Sequence, residues 1–141
     1  MATTSPTTER AQNQFARFVG VGAVGFVIDA GILTTLMNGF GWGPYAARAI
    51  SFSAAVSVTW ALNRRKVFRP TARPKREYSS YFVIQSIGAS INLGIFAVLV
   101  ELVPVLLAWP FVPLAIGGCA GLVFNFFGSR AFVFVDHDKR D

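Results

Sequence analysis

Four long apolar stretches dominate the chain, and each is close to the length that a helix needs to cross a bilayer. They cover approximately residues 15–37, 45–62, 78–102 and 104–127. A helix requires about 20 apolar residues to span a hydrocarbon core roughly 30 Å thick. The pattern therefore predicts an all-α membrane protein with four transmembrane helices.

The apolar pattern is repeated once along the chain. Residues 24–33 (Val-Gly-Phe-Val-Ile-Asp-Ala-Gly-Ile-Leu) reappear as residues 87–96 (Ile-Gly-Ala-Ser-Ile-Asn-Leu-Gly-Ile-Phe). Further on, residues 63–68 (Asn-Arg-Arg-Lys-Val-Phe) are echoed by residues 129–134 (Ser-Arg-Ala-Phe-Val-Phe). Because each copy contains two crossings, both copies enter the membrane from the same side. We therefore expect two helical hairpins related as a parallel repeat.

The repeat also defines the expected domain organisation. The predicted segments are a flexible cytoplasmic tail (1–13), a four-helix transmembrane domain (14–135) made of repeat one (15–68), a basic linker (69–77) and repeat two (78–134), and a charged cytoplasmic tail (136–141).

The charges indicate how the helices are oriented. Hydrophobic residues make up 53% of the chain and charged residues 14%, well below the roughly 25% of soluble domains. Of the 13 Lys and Arg residues, all but Arg48 lie near the termini or in the central loop. By the positive-inside rule, both termini and the loop 63–78 face the cytoplasm. The connections around 39–44 and 102–113 then face outward. Three aromatic residues are expected at the outer interface: Trp42, Tyr45 and Trp109.

Other functional classes find little support in the sequence. The net charge of +6 follows from topology, so we expect no nucleic-acid partner. Residues 20–25 match G-x-G-x-x-G, but they lie inside an apolar run and not at the strand-to-helix turn of a dinucleotide site. These glycines, like Gly117 and Gly121, are typical of closely packed helices. With Cys119 as the single cysteine, no catalytic set, metal site or cofactor is predicted, and we expect a protein that is not an enzyme.

Polar residues within the apolar stretches are candidates for a translocation path. Asp29, Gln85, Asn92 and Asn125 fall on faces that also carry small residues, such as Gly118 and Gly121 in the last stretch. Such faces turn away from lipid, either to pack helices together or to line a polar groove. An ionisable group in a bilayer is costly and usually functional. Asp29 is expected either to form a structural ion pair with Arg48 or, unpaired, to carry a proton.

Arg64 and Arg130 are the principal candidates for binding a phosphate. Each follows an outward-to-inward helix at a matching repeat position, and a guanidinium binds phosphate through a rigid fork of donors. Asn63 and Arg65 flank the same surface. The alternative is that these charges only fix topology and contact anionic lipid headgroups.

The motifs together resemble those of the GtrA family of small bacterial membrane proteins, over about residues 15–134. The first half contributes Phe18-Val19-Gly20, Gly25, Asp29 and Asn63-Arg64-x-x-Val67-Phe68, and the second contributes Phe82, Gly88, Asn92, Asn125-Phe126 and Arg130-x-x-Val133-Phe134. The chain departs from the family pattern at Thr59-Trp60, where Asn-Phe is usual, and at Ser129, where Asn is usual.

The resemblance implies a role in cell-surface polysaccharide synthesis or glycosylation at the bacterial inner membrane. It implies a translocase, or flippase, for polyisoprenyl-phosphate-linked sugars such as undecaprenyl-phosphate glucose, working beside a membrane glycosyltransferase. Two alternatives remain: a non-transporting anchor that recruits such a glycosyltransferase, and a small multidrug-type cation exporter. Because four helices hardly enclose a sugar-phosphate path, a homo-oligomer is also expected.

Overall fold

The computed structural model describes residues 6–108 and 111–135, and the regular structure in these ranges is helical. The four long helices are α1 (Pro6–Thr34), α2 (Pro44–Leu62), α3 (Pro74–Leu102) and α4 (Phe111–Gly128). The all-α prediction is therefore confirmed. Predictions for residues 1–5, for Trp109 and for the tail 136–141 lie outside the described residues.

Several long helices end in a short segment of different pitch. α1, α2 and α4 continue into π-helical turns at Thr35–Gly39, Asn63–Val67 and Ser129–Val133, whereas a 3₁₀ turn at Pro104–Ala108 follows α3. Single π turns inside helices are rare and are frequent at functional sites. The second and third π turns contain the repeated Arg-x-x-Val motif.

Proline residues set where the helices begin. α1 starts at Pro6, so residues 6–13, which the sequence assigns to a flexible tail, are helical. α2 and α3 start at Pro44 and Pro74, and α3 thus takes up part of the expected linker. The first helical position suits proline because its missing N–H needs no partner there and its φ angle is already helical.

The last apolar stretch is helical over a shorter length than its composition indicates. Its first residues, Pro104–Ala108, form the 3₁₀ turn, and α4 begins only at Phe111. Val103 precedes a proline, which disfavours helical backbone, and its φ and ψ of −131° and 74° end α3. The Leu106 N–H then donates to the Val103 carbonyl at 2.9 Å.

The chain divides into two compact units, which we call the first unit (Met1–Pro70) and the second unit (Thr71–Asp141). The first contains α1 and α2, and the second contains α3 and α4. In each unit the two long helices are antiparallel, since later residues of the first helix contact earlier residues of the second. Phe18 meets Phe68 and Asp29 meets Arg48, while Tyr81 meets Phe134 and Asn92 meets Gly117. Each unit is therefore a helical hairpin.

Three helical segments within the described ranges are long and apolar enough to cross a membrane. They are Arg10–Gly39, Pro74–Leu102 and Val112–Val133. The protein is thus a membrane protein with several apolar helices. α2 is not among the three, because Arg48 and several serine and threonine residues make it less apolar. The fourth crossing stays a prediction.

Candidate functional site

The first unit places its arginine motif on a closed π turn. The Phe68 N–H donates to the Asn63 carbonyl at 2.8 Å, which closes the turn after Val67. The Phe68 ring then packs edge-to-face on Phe18 of α1, with ring centroids 6.1 Å apart. Phe18 and Phe68 are both buried. This packing fixes the turn that follows α2 against α1.

The second unit has the same arrangement. The Phe134 N–H donates to the Ser129 carbonyl at 3.0 Å, and the Phe134 ring packs edge-to-face on Tyr81 at 6.2 Å. Tyr81 is the repeat equivalent of Phe18 and is also buried. The repeat in the sequence is therefore a repeat of tertiary contacts. We call this end of each hairpin, where the arginine motif lies, its basic end.

Arg64 and Arg130 occupy equivalent turns but differ in surroundings. Arg64 is half-buried, and its guanidinium carbon lies 5.7 Å from the centre of the Trp60 ring. Arg130 is exposed. A guanidinium that stacks on an aromatic face keeps its in-plane N–H groups in position for an anion.

Side chains from α1 hold the first π turn in place. Gln14 Nε2 donates to the Val67 carbonyl at 3.4 Å, and Arg17 Nη1 donates to the Lys66 carbonyl at 3.3 Å. Carbonyls at a helix end lack partners within the helix, so these donors satisfy them. Other exposed cations lie close to the first motif in the sequence, namely Arg65, Lys66 and Arg69 in the first unit and Arg73, Lys75 and Arg76 in the second.

Asp29 and Arg48 form an ion pair in the first unit. Arg48 Nη1 donates to Asp29 Oδ2, and the guanidinium also lies 6.0 Å from the Phe52 ring centre. The Asp29 side chain is 16% exposed and that of Arg48 is 54% exposed. The other carboxylate oxygen, Asp29 Oδ1, is buried and has no hydrogen-bond partner in the described part of the chain. Of the two alternatives for Asp29, the structure has the paired one.

The second unit replaces this ion pair with amides that pack on glycines. Asn92 lies against Gly117, where an added Cβ would come 2.6 Å from Asn92 Oδ1 and 2.5 Å from its backbone oxygen. Reciprocally, a Cβ on Gly88 would overlap the amide of Asn125. We call these two contacts the asparagine–glycine clasp. Each asparagine occupies the space that the missing side chain of the facing glycine leaves.

The backbones of α3 and α4 approach closely within this clasp. A Cβ on Gly121 would come 2.7 Å from the Gly88 carbonyl oxygen, whereas one on Gly118 would meet nothing within 4 Å. The sequence analysis paired Gly117 with Gly121 as close-packing glycines, which is confirmed, but it also placed Gly118 on the polar face, and that placement is wrong. Four residues correspond to slightly more than one helical turn, so Gly117, Gly121 and Asn125 follow one side of α4.

Buried polar atoms without a hydrogen-bond partner in the described part of the chain lie in the second unit as well as at Asp29. Within the described residues, those of the second unit are Gln85 Nε2, Asn92 Oδ1, Asn125 Oδ1 and Ser129 Oγ. A buried donor or acceptor without a partner costs about 1–3 kcal/mol. Such groups are few in native proteins, and each one points to a ligand, water or weak contact that satisfies it.

Glu77 is a buried residue that sequence reasoning missed. Its side chain accepts hydrogen bonds from the Thr71 N–H at 2.9 Å and the Thr71 hydroxyl at 2.8 Å, and the residue is 2% exposed. It therefore ties the start of the second unit to α3. The repeat could have indicated this role. Glu77 is the repeat equivalent of Gln14, whose side chain binds the π turn at the basic end of the first unit.

The structure thus brings the predicted site residues into three groups. Asn63, Arg64 and Arg65 share one π turn, and Arg130 lies on the equivalent turn of the second unit. Asp29 and Arg48 are paired inside the first unit. The third group, inside the second unit, consists of Gln85, Asn92 and Asn125.

Comparison with known proteins gives one match. The family model described as GtrA/DPMS, transmembrane domain, matches residues 17–134, which is most of the chain. No curated protein and no solved structure matches the chain significantly.

Proposed function

The chain belongs to the GtrA/DPMS transmembrane-domain family of membrane proteins that handle lipid-linked sugars, and we propose that it is a flippase for such lipids. Its cargo is a polyisoprenyl-phosphate-linked sugar, which it moves across the bacterial inner membrane for cell-surface polysaccharide synthesis or glycosylation. The protein moves the lipid without covalent chemistry.

The observation that carries this proposal is the matched presentation of two guanidiniums. Arg64 and Arg130 lie on π turns that the same hydrogen bond closes and the same aromatic contact braces. Membrane topology requires positive charges on the cytoplasmic side, but it does not require two arginines in the same local structure. A phosphate headgroup supplies a reason for the repetition, because it accepts several charge-assisted hydrogen bonds at once.

The interior and the surface of the hairpins suit the other parts of such a lipid. Buried polar atoms of Gln85, Asn92 and Asn125 offer donors and acceptors that match sugar hydroxyls. Large apolar side chains such as Phe26 and Leu93 are exposed along the helices. In the proposed mechanism the headgroup follows the polar side chains while the prenyl tail stays in lipid.

The proposal includes α2 as a fourth crossing. Ser51 and Thr59 are buried in the first unit, and the charge of Arg48, whose side chain is partly exposed, is paired with Asp29. A spanning helix tolerates polar residues that face protein and a charge that is paired with an opposite charge. With four crossings, the basic ends of both hairpins and both termini are on the cytoplasmic side.

The same proposal extends to the partners. A membrane glycosyltransferase that makes the lipid-linked sugar would deliver the cargo at the basic ends, where anionic lipids also bind. Two hairpins offer little enclosure for a sugar-phosphate, so the functional form is a homo-oligomer.

Reconstituted transport tests the proposal. Proteoliposomes that contain a fluorescent polyprenyl-phosphate sugar should show protein-dependent flipping, and Arg64→Ala or Arg130→Ala should lower the rate about 10-fold or more, since each removes a charge-assisted contact of about 1.5–3 kcal/mol. Arg76→Ala, which removes an exposed cation outside both arginine motifs, serves as the matched control and should change the rate little. If the wild-type chain produces no flipping but still binds a glycosyltransferase, it is an anchor and the proposal is wrong.

A further inference from the structure

On the basis of the proposed function, we infer that the two basic ends are unequal binding sites for a lipid phosphate, and that the tighter site is in the first unit. Trp60 is a positioning residue for Arg64, and Arg17 is a further residue that contacts the phosphate. The lipid phosphate therefore occupies the first basic end before the second.

The Trp60 ring holds the Arg64 guanidinium in place. The two residues are four positions apart, so they are neighbours on one side of the helix, and the guanidinium carbon lies 5.7 Å from the ring centre. Arg64 is also half-buried. A long side chain that is already ordered loses less conformational freedom when it binds a ligand, and this raises the affinity. The planar fork of N–H donors on Arg64 is therefore prepared for a phosphate.

The corresponding aromatic residue of the second unit is used differently. Phe126 is the repeat equivalent of Trp60, but it is buried and its ring packs edge-to-face on Phe127, with centroids 5.3 Å apart. Arg130 is exposed and has no aromatic ring beneath it within the described residues. The phosphate must itself order the Arg130 side chain, which lowers the affinity of this end.

α1 brings a further guanidinium to the first basic end. Arg17 Nη1 donates to the Lys66 carbonyl at 3.3 Å, which places its head at the π turn that contains Arg64. Lys66 is two residues from Arg64, so their Cα atoms are at most about 7.6 Å apart. Arg17 is exposed, and a guanidinium has five N–H donors, so the donors that Lys66 does not use are open to a ligand. A phosphate at this turn can accept hydrogen bonds from both helices of the hairpin.

The equivalent positions of the second unit carry less positive charge. The first π turn has three cations and Arg17 beside it, whereas the second π turn has Arg130. The nearest upstream cation of the second unit, Arg76, lies more than one helical turn before Tyr81, which packs on its π turn. Since attraction to an anion falls with distance, the first turn attracts a phosphate more strongly. The three cations that the repeat does not keep are Arg17, Arg65 and Lys66, which correspond to Ser80, Ala131 and Phe132.

Binding of a polyprenyl phosphate to the full-length chain in detergent, measured by native mass spectrometry, tests the order of the two sites. Arg64→Ala should weaken binding about 5-fold more than Arg130→Ala, which corresponds to a cation–π contact of about 1 kcal/mol. Trp60→Leu should weaken binding about 5-fold for the same reason. Trp60→Phe keeps an aromatic ring under Arg64 and should restore most of this loss.

A substitution at Arg17 tests its contact with the phosphate. Arg17→Gln keeps an N–H donor for the Lys66 carbonyl and removes the charge, so it should weaken binding about 10-fold. Arg10→Gln is the matched control, because Arg10 is an exposed residue of the same helix about 10 Å away along its axis. This control should bind the lipid like the wild type.

The fluorescence of Trp60 gives a measurement that does not require its removal. The chain has three tryptophans, so Trp42→Phe and Trp109→Phe together leave Trp60 as the only one. Addition of the polyprenyl phosphate should change its emission, and Arg64→Ala should abolish the change. A tryptophan that only packs the hairpin would not respond to the lipid. This measurement decides the matter even if Trp60→Leu loses helicity.

The outcomes separate the order of the sites from the proposed function. A larger loss at Arg64 than at Arg130, with a lipid-dependent Trp60 emission, supports unequal sites. Equal losses, a larger loss at Arg130, an emission that ignores the lipid, or wild-type affinity in Arg17→Gln overturns the assignment. The proposed function fails separately, if the wild-type chain binds phosphatidylglycerol as tightly as the polyprenyl phosphate.

Discussion

The two hairpins share their ends and differ in their middles. At the basic end, Phe68 on Phe18 in the first unit is matched by Phe134 on Tyr81 in the second, with centroid distances of 6.1 and 6.2 Å. In the middle, the first unit holds an ion pair, whereas the second holds the asparagine–glycine clasp. The two units therefore share the ends that present the arginines and differ in their interiors.

In the middle of each hairpin, different contacts hold the two helices together. In the second unit, α4 glycines approach the backbone of α3, so the contact involves atoms that cannot rotate away. In the first unit, the equivalent positions are Ser51 and Ala55, and the close contact of Gly25 is with the Thr59 methyl group. We expect the second hairpin to tolerate added atoms less well than the first.

The largest effect is expected from Gly117→Ala in the second unit. Its new methyl group would lie 2.5 Å from the Asn92 backbone oxygen, so the helices must separate, at a cost of about 1–3 kcal/mol in the free energy of unfolding. The measurement is loss of helicity during titration with a denaturing detergent.

The neighbouring glycine provides a matched control. A Cβ on Gly118 meets nothing within 4 Å, and alanine favours a helix over glycine by about 1 kcal/mol. Gly118→Ala should therefore be neutral or stabilising. Equal destabilisation by the two substitutions would show that α4 does not pack on α3 through Gly117.

A smaller effect is expected from Gly25→Ala in the first unit. The added methyl group would overlap the Thr59 methyl group, which can move, so we expect a loss of about 1 kcal/mol in the free energy of unfolding. Thr59→Ser removes that methyl group and keeps the hydroxyl that donates to the Val56 carbonyl. The double variant should recover most of the loss.

The recovery of stability in the double variant depends on direct contact between positions 25 and 59. A double-mutant cycle at positions 25 and 59 should give a coupling energy near the size of the single loss, because the two groups are in contact. Additive effects would mean that Thr59 is not the group that Gly25 accommodates.

Much of this architecture could be predicted from the sequence. The apolar lengths and the repeat predicted all-helical hairpins, and the cost of a buried charge made Arg48 a candidate partner of Asp29, which the structure bears out. The close packing of Gly117 and Gly121 was predicted, whereas the place of Gly118 outside the packed face was not, because neighbouring glycines are equally small and only the packing distinguishes them. The burial of Glu77 was also missed, since an acid that follows Lys75 and Arg76 in the first turn of a helix is usually exposed.

The length of each helix depended on local backbone chemistry that composition does not reveal. Pro6 and Pro74 extend helices into segments that look like tail and linker, while Pro104 shortens an apolar stretch. The π turns at the arginine motifs are not visible in the hydropathy pattern either, because hydropathy does not show which carbonyl each backbone N–H binds.

Binding of a prenyl phosphate to the arginine motifs is the most direct test of the proposed role. Native mass spectrometry of the wild type, the two single alanine variants at Arg64 and Arg130, and the double variant would give the affinities for a polyprenyl-phosphate sugar. The predicted result is a loss of about 10-fold or more in each single variant and near-complete loss in the double variant, with Arg76→Ala unchanged. Retention of wild-type affinity by the double variant would contradict the assignment of these guanidiniums to the phosphate.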